Sequence, residues 1–331
     1  MSELRYNIIS REWVVIATER AKRPMDFAKK AKEKIALPEY RSDCPFCPGN
    51  EAMSPEETLR LANGASWKVR SAYNKFPALS PEAKCERSSD GVFSTITGFG
   101  MHEVIIEHPK HNMIMPLMAD EEVADIIRAY KSRYLALEKA EHIEAITIFK
   151  NHGPRAGTSL EHPHSQLIAT PIIPPHLKLR LIQAMNYYGE KGKCVYCQVL
   201  EEELREKKRI VLETDNFVSF MPYASLSPFH TWIFPRRHNA SFAGISEAEI
   251  RDLAKILKNT WARIYYGLDN PDLNLAIYST PTRERDLDFF HWYLSVIPRI
   301  SETAGFELGS GMFINVALPE ESAEFLRGVK V

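Results

Sequence analysis

Trp13–Ala17, His102–Glu107, Ala145–Phe149 and Leu167–Thr170 are short apolar runs rich in β-branched side chains, and they read as strands. Between the second and third, Val123, Ile126, Ile127, Tyr130, Tyr134 and Leu137 recur at helical spacing. That periodicity predicts an amphipathic helix with Asp120 as its N-cap. Residues 26–43 are polar and Lys-rich, and predict a loop with a helical turn. Beyond residue 190 the order repeats. A charged helix over 199–208 is followed by strands at Ile210–Thr214 and Phe217–Phe220, on either side of an Asp215-Asn216 turn. Thr231–Phe234 then matches His102–Glu107. Ile250, Leu253, Leu257, Trp261 and Ile264 predict a second long helix, opened by a Ser246/Glu249 capping box. Leu273–Tyr278 and Trp292–Ile297 match the two closing strands of the first half. Antiparallel-looking strands with one long helix per half predict an α+β unit, its sheet covered on one face, present twice.

The landmarks shared by the halves are chemically unusual. Cys44-Pro-Phe-Cys47 and Cys194-Val-Tyr-Cys197 each precede a strand that leads to His-Asn, at His111 and His238. Each half then places a histidine, His162 or His291, just before a closing strand that ends in proline. Two thiols and two imidazoles form a tetrahedral zinc set, so Cys44, Cys47, His111 and His162 predict one site. Cys194, Cys197, His238 and His291 predict another, giving two zinc ions per chain. Four protein ligands leave no open position, and both sites are expected to be structural. A redox role for the Cys-x-x-Cys pairs is the weaker alternative, because neither adjoins a βαβ pattern. Pro171, Pro174 and Pro175 predict a linker near 172–190. The expected halves are 1–175, catalytic, and 190–331, degenerate.

With 331 residues, 44% of them apolar and a formal net charge of −1, the chain has material for two ordinary cores and no general attraction for nucleic acid or anionic membranes. No stretch reaches membrane-span length, and Met1–Arg11 lacks the apolar core of a secretory leader. A cytoplasmic protein is expected. Cys85 has no nearby partner and reads as a free thiol.

Only the first half carries a further histidine, His164, in His162-Pro163-His164-Ser165-Gln166. Alternation along a strand sets His162, His164 and Gln166 on one face. An isolated histidine is by default a satisfied core or surface residue. Here Asn151-His152-Gly153-Pro154-Arg155-Ala156-Gly157-Thr158-Ser159, small and polar enough to cradle a phosphate, directly precedes it. Arg20 and Arg23 add cations suited to a pyrophosphate. A neutral imidazole so placed is a competent nucleophile toward phosphorus.

Arg20-Ala21-Lys22-Arg23-Pro24, the Cys44 knuckle with Gly49-Asn50, Asn74-Lys75-Phe76-Pro77 and the His162–Gln166 motif together resemble the galactose-1-phosphate uridylyltransferases of the histidine-triad superfamily. The resemblance spans nearly the whole chain. It implies a tandem duplication of a histidine-triad-like unit, a homodimer, and ping-pong transfer of UMP from UDP-glucose through His164 to galactose 1-phosphate. By position it implies that Arg20 and Arg23 contact the nucleotide phosphates and that Asn74 and Phe76 border the uridine. Asn151, Ser159 and Gln166 would hold the α-phosphate, with Gly157 and Thr158 also among the substrate-binding residues. In the second half Tyr293 stands where His164 does, and Ser295 where Gln166 does. Where the family carries a Tyr-Glu pair that reaches the hexose, this chain has Ser310-Gly311, which resembles the branch that includes plant ADP-glucose phosphorylase. Passage of AMP from ADP-glucose to phosphate is therefore a second expectation, dinucleoside polyphosphate hydrolysis a third, and a non-enzymatic zinc scaffold that binds nucleotides a fourth.

Overall fold

The computed structural model describes residues 2–18, 27 and 37–331. Arg20, Arg23 and most of the Lys-rich 26–43 segment lie outside the described residues. Ten antiparallel strands form one sheet. The first half contributes β3 (Glu57–Asn63), β4 (Ser66–Tyr73), β7 (Met101–Ile106), β8 (Ala145–His152) and β9 (His164–Thr170). The second contributes β10 (Ile210–Glu213), β11 (Phe217–Phe220), β12 (Thr231–Pro235), β13 (Leu273–Tyr278) and β14 (Tyr293–Pro298). Read from each outer edge inward, the orders are β3-β4-β7-β9-β8 and β10-β11-β12-β14-β13, the same arrangement twice. The copies meet where β8 pairs with β13, with Phe149 opposite Ala276.

Helix α1 (Asp120–Leu137) joins β7 to β8, and α4 (Glu247–Gly267) joins β12 to β13. The two pack against each other over one face of the sheet, and their apolar sides merge with both half-sheets into a single core. Burial of that size, at ~25 cal/mol per Å² of apolar surface, is the main stabilising term. The Ser246/Glu249 capping box forms as expected: Ser246 Oγ accepts the Glu249 N–H at 3.2 Å and Glu249 accepts the Ser246 N–H at 2.8 Å. Asp120, expected at the cap of the first long helix, is instead its first residue. Ala119 holds the cap position, and the Glu122 carboxylate accepts its N–H at 2.7 Å. A reaching glutamate thus replaces a capping side chain.

The expected linker is a helix. Pro175 opens α2 (Pro175–Lys191) from the first turn, where a missing N–H costs nothing and the fixed φ fits. Leu177, Leu181 and Ala184 pack inward from it, and α3 (Val195–Glu206) follows. The strand after the motif also begins later than the alternation implies. His162 lies in the bend before β9, so only His164 and Gln166 share the strand's face.

A second, three-stranded sheet joins the chain's ends. β1 (Glu3–Tyr6) pairs with β2 (Trp13–Ile16), and β15 (Phe313–Asn315) runs parallel to β2. A two-stranded hairpin, β5 (Arg87–Asp90) with β6 (Phe93–Ile96), completes the strands among the described residues. Ser310 and Gly311 close the short helix α5 (Gly305–Ser310), and α6 (Pro319–Gly328) ends the chain. No helix among the described residues is long and apolar enough to cross a membrane.

Candidate active site and metal centres

Away from α1 and α4 the two half-sheets differ. From Ser165 onward the residues of β9 alternate between buried and half-buried, so one face of the first half stays accessible beyond His164. In β11 and β12 every residue is buried, because α2, α3 and Ile9 cover the matching face. Tyr196, Trp232, Phe234, Tyr278 and Tyr293 fill it, Tyr278 stacking on Tyr293 with ring centroids 4.8 Å apart. An aromatic plug occupies the second half where the first half has an open face.

Two Cys/His clusters are assembled from the expected residues: Cys44, Cys47, His111 and His162, and Cys194, Cys197, His238 and His291, their ligand atoms all within 4.8 Å of one another in each. In the first cluster the Cys44–His162, Cys47–His162 and Cys47–His111 sulfur–nitrogen distances are 3.7, 3.6 and 3.6 Å. A tetrahedral zinc with ordinary bond lengths sets such atoms about 3.6 Å apart, so the donor set fits that ion. Each imidazole turns Nδ1 inward. His162 donates its Nε2–H to the His108 carbonyl at 2.8 Å, which fixes the tautomer a ligand needs. Burial holds His162 down to about 3, so its ring is neutral. Burial also pushes the Cys44 thiol up to about 11, and a bound cation would be what holds it as thiolate. The second cluster is built differently. Cys194 caps α3 and Cys197 sits in its first turn, 3.3 Å from His238 Nδ1 and 3.6 Å from His291 Nδ1. His238 anchors its Nε2–H on the Leu287 carbonyl at 3.1 Å.

The first knuckle also touches the neighbouring histidine. Phe46, between its two cysteines, packs edge-on against His162 and His164 at centroid distances of 6.0 and 5.3 Å. His164 is 5% exposed. Its Nδ1–H donates to the His162 carbonyl at 2.9 Å, which leaves the Nε2 lone pair free. Burial, and then the Lys150 cation, hold its pKa below the ordinary histidine value. The ring is therefore a neutral imidazole with one bare nitrogen, the form in which it can attack phosphorus.

Behind the motif strand lies a buried charged pair that sequence patterning missed. Lys150 Nζ sits 2.7 Å from Glu107 Oε2 and donates to the His164 carbonyl at 3.0 Å. Ser165 and Tyr130 donate to the other Glu107 oxygen. These groups fix the main chain at His164 from the helix-covered side.

Asn151 is the last residue but one of β8, and continuing the register from Phe149 opposite Gln166 sets it opposite His164. The loop after it turns through Gly153 and Gly157, both at positive φ. At Gly153 a Cβ would lie 2.2 Å from the Asp272 carboxylate, so any side chain there must displace it. The second half holds this loop. Asp272 accepts the Arg155 N–H at 2.6 Å, and Asn274 donates to the Ala156 carbonyl at 2.9 Å and to Asn151 Oδ1 at 2.8 Å. The Asn151 amino group then faces the loop, 3.5 Å from the Gly157 carbonyl. Thr158 and Ser159 follow, Thr158 half-buried and Ser159 exposed.

Asn74 and Phe76 border the same face, with Phe76 82% exposed at the tip of a turn. His102, on β7, holds that turn and contacts Gln166. It was legible in the sequence only by aligning the repeats, where His230 takes the matching place. Ser310 and Gly311 stand apart. Ser310 Oγ donates to the Phe306 carbonyl at 2.6 Å, and no described contact within the chain joins the pair to the His164 strand.

The family model of the galactose-1-phosphate uridyl transferase N-terminal domain matches residues 1–174, and that of the C-terminal domain matches 181–275. The chain belongs to the galactose-1-phosphate uridyl transferase family. Like that family, it is a nucleotidyltransferase. An ADP-glucose phosphorylase from Arabidopsis thaliana is 36% identical over 99% of this chain and 93% of its own length. A galactose-1-phosphate uridylyltransferase from Thermotoga maritima is 29% identical over 100% of this chain and 99% of its own. The crystal structure of the Arabidopsis thaliana ADP-glucose phosphorylase with bound ADP-glucose superposes with a TM-score of 0.84, at 32% identity, over 100% of this chain and 99% of that one.

Proposed function

We propose that this chain transfers a nucleoside monophosphate from a nucleoside diphosphate hexose through a covalent adduct on His164. The observation that carries the proposal is the His164 ring itself, neutral, oriented by its bond to the His162 carbonyl, with Nε2 bare beside a glycine-turned polar loop. Nε2 attacks the α-phosphorus, a P–N bond forms, and the bond to the β-phosphate oxygen breaks, so that hexose 1-phosphate leaves. A second phosphate oxygen then attacks the same phosphorus and the P–N bond breaks. Gln166 and Asn151 offer amide N–H groups to the phosphoryl oxygens in both steps, with Gly157, Thr158 and Ser159 lining the loop. Arg20 and Arg23 would face the diphosphate, and Asn74 and Phe76 the base.

The first reading of donor and acceptor is UDP-glucose and galactose 1-phosphate, supported by the family models and the Thermotoga maritima relative. The second is ADP-glucose and inorganic phosphate, supported by the Arabidopsis thaliana relative and by Ser310-Gly311 in place of a hexose-binding pair. Both clusters would hold zinc, two ions per chain, as closed structural sites; the ion in the first would fix the Phe46 knuckle beside His164. The halves 1–175 and 190–331 would act as catalytic copy and degenerate copy. A homodimer in the cytoplasm, with Ser310 and Gly311 reaching a partner's site, completes the reading.

Incubation with UDP-glucose or ADP-glucose labelled at the α-phosphorus tests it. The expected result is a protein-bound label with one of the two, acid-labile as a phosphoramidate is, and absent from His164→Ala. A labelled His164→Ala variant would refute the assignment.

A further inference from the structure

Gln166 carries a carboxamide whose two ends do opposite things, and the surrounding hydrogen bonds decide which end faces the site. The backbone N–H of Ala78 donates to His102 Nδ1 at 3.1 Å. A backbone N–H can only donate, so Nδ1 bears the lone pair and the neutral ring carries its proton on Nε2. That Nε2 lies 2.8 Å from Gln166 Oε1 and donates to it. The Asn74 amino nitrogen, 3.1 Å from the same Nε2, finds no lone pair there, so its protons stay unclaimed by the histidine. Its own Oδ1 accepts the Phe76 N–H at 2.9 Å. With Oε1 occupied by His102, the Gln166 amino group points away from the ring.

The second half supplies an internal control. There His230 Nε2 lies 2.8 Å from Ser295 Oγ, at the register position that matches Gln166. A histidine that grips this side chain is thus part of the repeated unit. Only in the first half does the gripped residue have a second polar end to present.

We propose that His102 is a positioning residue for nucleotidyl transfer. By donating Nε2–H to Gln166 Oε1 it turns the glutamine amino group toward the phosphoryl group carried by His164, and through Ala78 it ties the Asn74–Ala78 turn to that orientation. The role rests on the covalent His164 reading.

Two substitutions divide the functions of the ring. His102→Asn keeps an acceptor near the Ala78 N–H and loses the donor to Gln166. His102→Gln places an amide nitrogen where Nε2 stood. In His102→Asn, passage of the nucleotide from the adduct to acceptor should fall roughly tenfold, as for one lost oriented hydrogen bond. The fraction lost to water should rise, while KM for the nucleotide sugar changes less than about twofold. His102→Gln should recover most of the loss. In a Gln166→Ala background, His102→Asn should add nothing. Equal losses in both His102 variants with an unchanged partition, or a full loss in the Gln166→Ala background, would overturn the proposal. Ring ¹⁵N shifts of His102 in the intact protein give a readout independent of substrate. A proton on Nε2 is expected, and a proton on Nδ1 sinks the proposal even if wild-type His164 is labelled. A wild-type protein that takes no label from either nucleotide sugar removes the covalent reading and the role of His102 with it, whatever the tautomer.

Discussion

Replacing Lys150 with methionine should destabilise the protein far more than its place near the end of β8 suggests. Lys150 is 1% exposed and 2.7 Å from Glu107, itself 1% exposed. Methionine fills much of the same volume but leaves a carboxylate in the core without its cation. Breaking a buried pair from one side costs about 3–5 kcal/mol, because the remaining charge is uncompensated. With an unfolding entropy of ~2.1 cal/mol/K per residue, a chain of 331 residues loses about 1.4 °C of Tm for each kcal/mol. The expected fall is therefore about 4–7 °C, read by calorimetry on metal-saturated protein. Lys110→Met is the control. Lys110 is 2.9 Å from Glu39, but both side chains are exposed, and the Tm should move by less than about 1 °C. Adding Glu107→Gln to Lys150→Met removes the stranded charge while leaving an acceptor for Ser165 and Tyr130. It should restore more than half of the loss. If the double variant is as unstable as Lys150→Met, or the single variant no less stable than the control, the charge argument fails.

Elemental analysis of the purified protein should give two zinc ions per chain, one for each cluster; Cys197→Ser should lower that to one with labelling of His164 intact, whereas Cys47→Ser should also slow labelling, since Phe46 rests on His164. Asn274→Ala leaves the Asn151 and Ala156 oxygens unheld, and should slow adduct formation by roughly tenfold, with little change in Tm. Gly153→Ala forces a Cβ into Asp272 at a positive φ and should cost more than ~1 kcal/mol in stability, read as a lower denaturant midpoint.

Much of this architecture was legible because it was written twice. The paired cysteines, the His-Asn landmarks and the two helical stripes fixed the order of elements, and the structure folds each copy into the same five-strand arrangement. The Ser246/Glu249 cap was readable because both partners are local. The 175–191 helix was hidden by prolines that begin it rather than break it. What patterning missed depends on residues distant in sequence. Asn274 reaches Ala156 across 118 positions, and β15 joins β2 from the other end of the chain. His102 was hidden for another reason: its function is a choice of tautomer, decided by a backbone N–H at Ala78 that no residue type reports.

The seam between the copies carries a historical consequence. Across it Phe149 lies opposite Ala276, Lys150 opposite Leu275, and Ile148 opposite Ile277. Aligning the repeats makes Phe149 and Ala276 equivalent, so a two-fold axis passes between them and each neighbour faces its counterpart's neighbour. That is the geometry of an isologous dimer. A single ancestral unit would have exposed the β8 edge and closed it with a second copy of itself. In such a dimer one gene writes both sites, and neither can change alone. Joining the copies through the segment that became α2 removed that constraint. One site could then be filled with tyrosines and tryptophan and lent to the other as a wall, contributing Asp272 and Asn274 to a loop it no longer needed for itself.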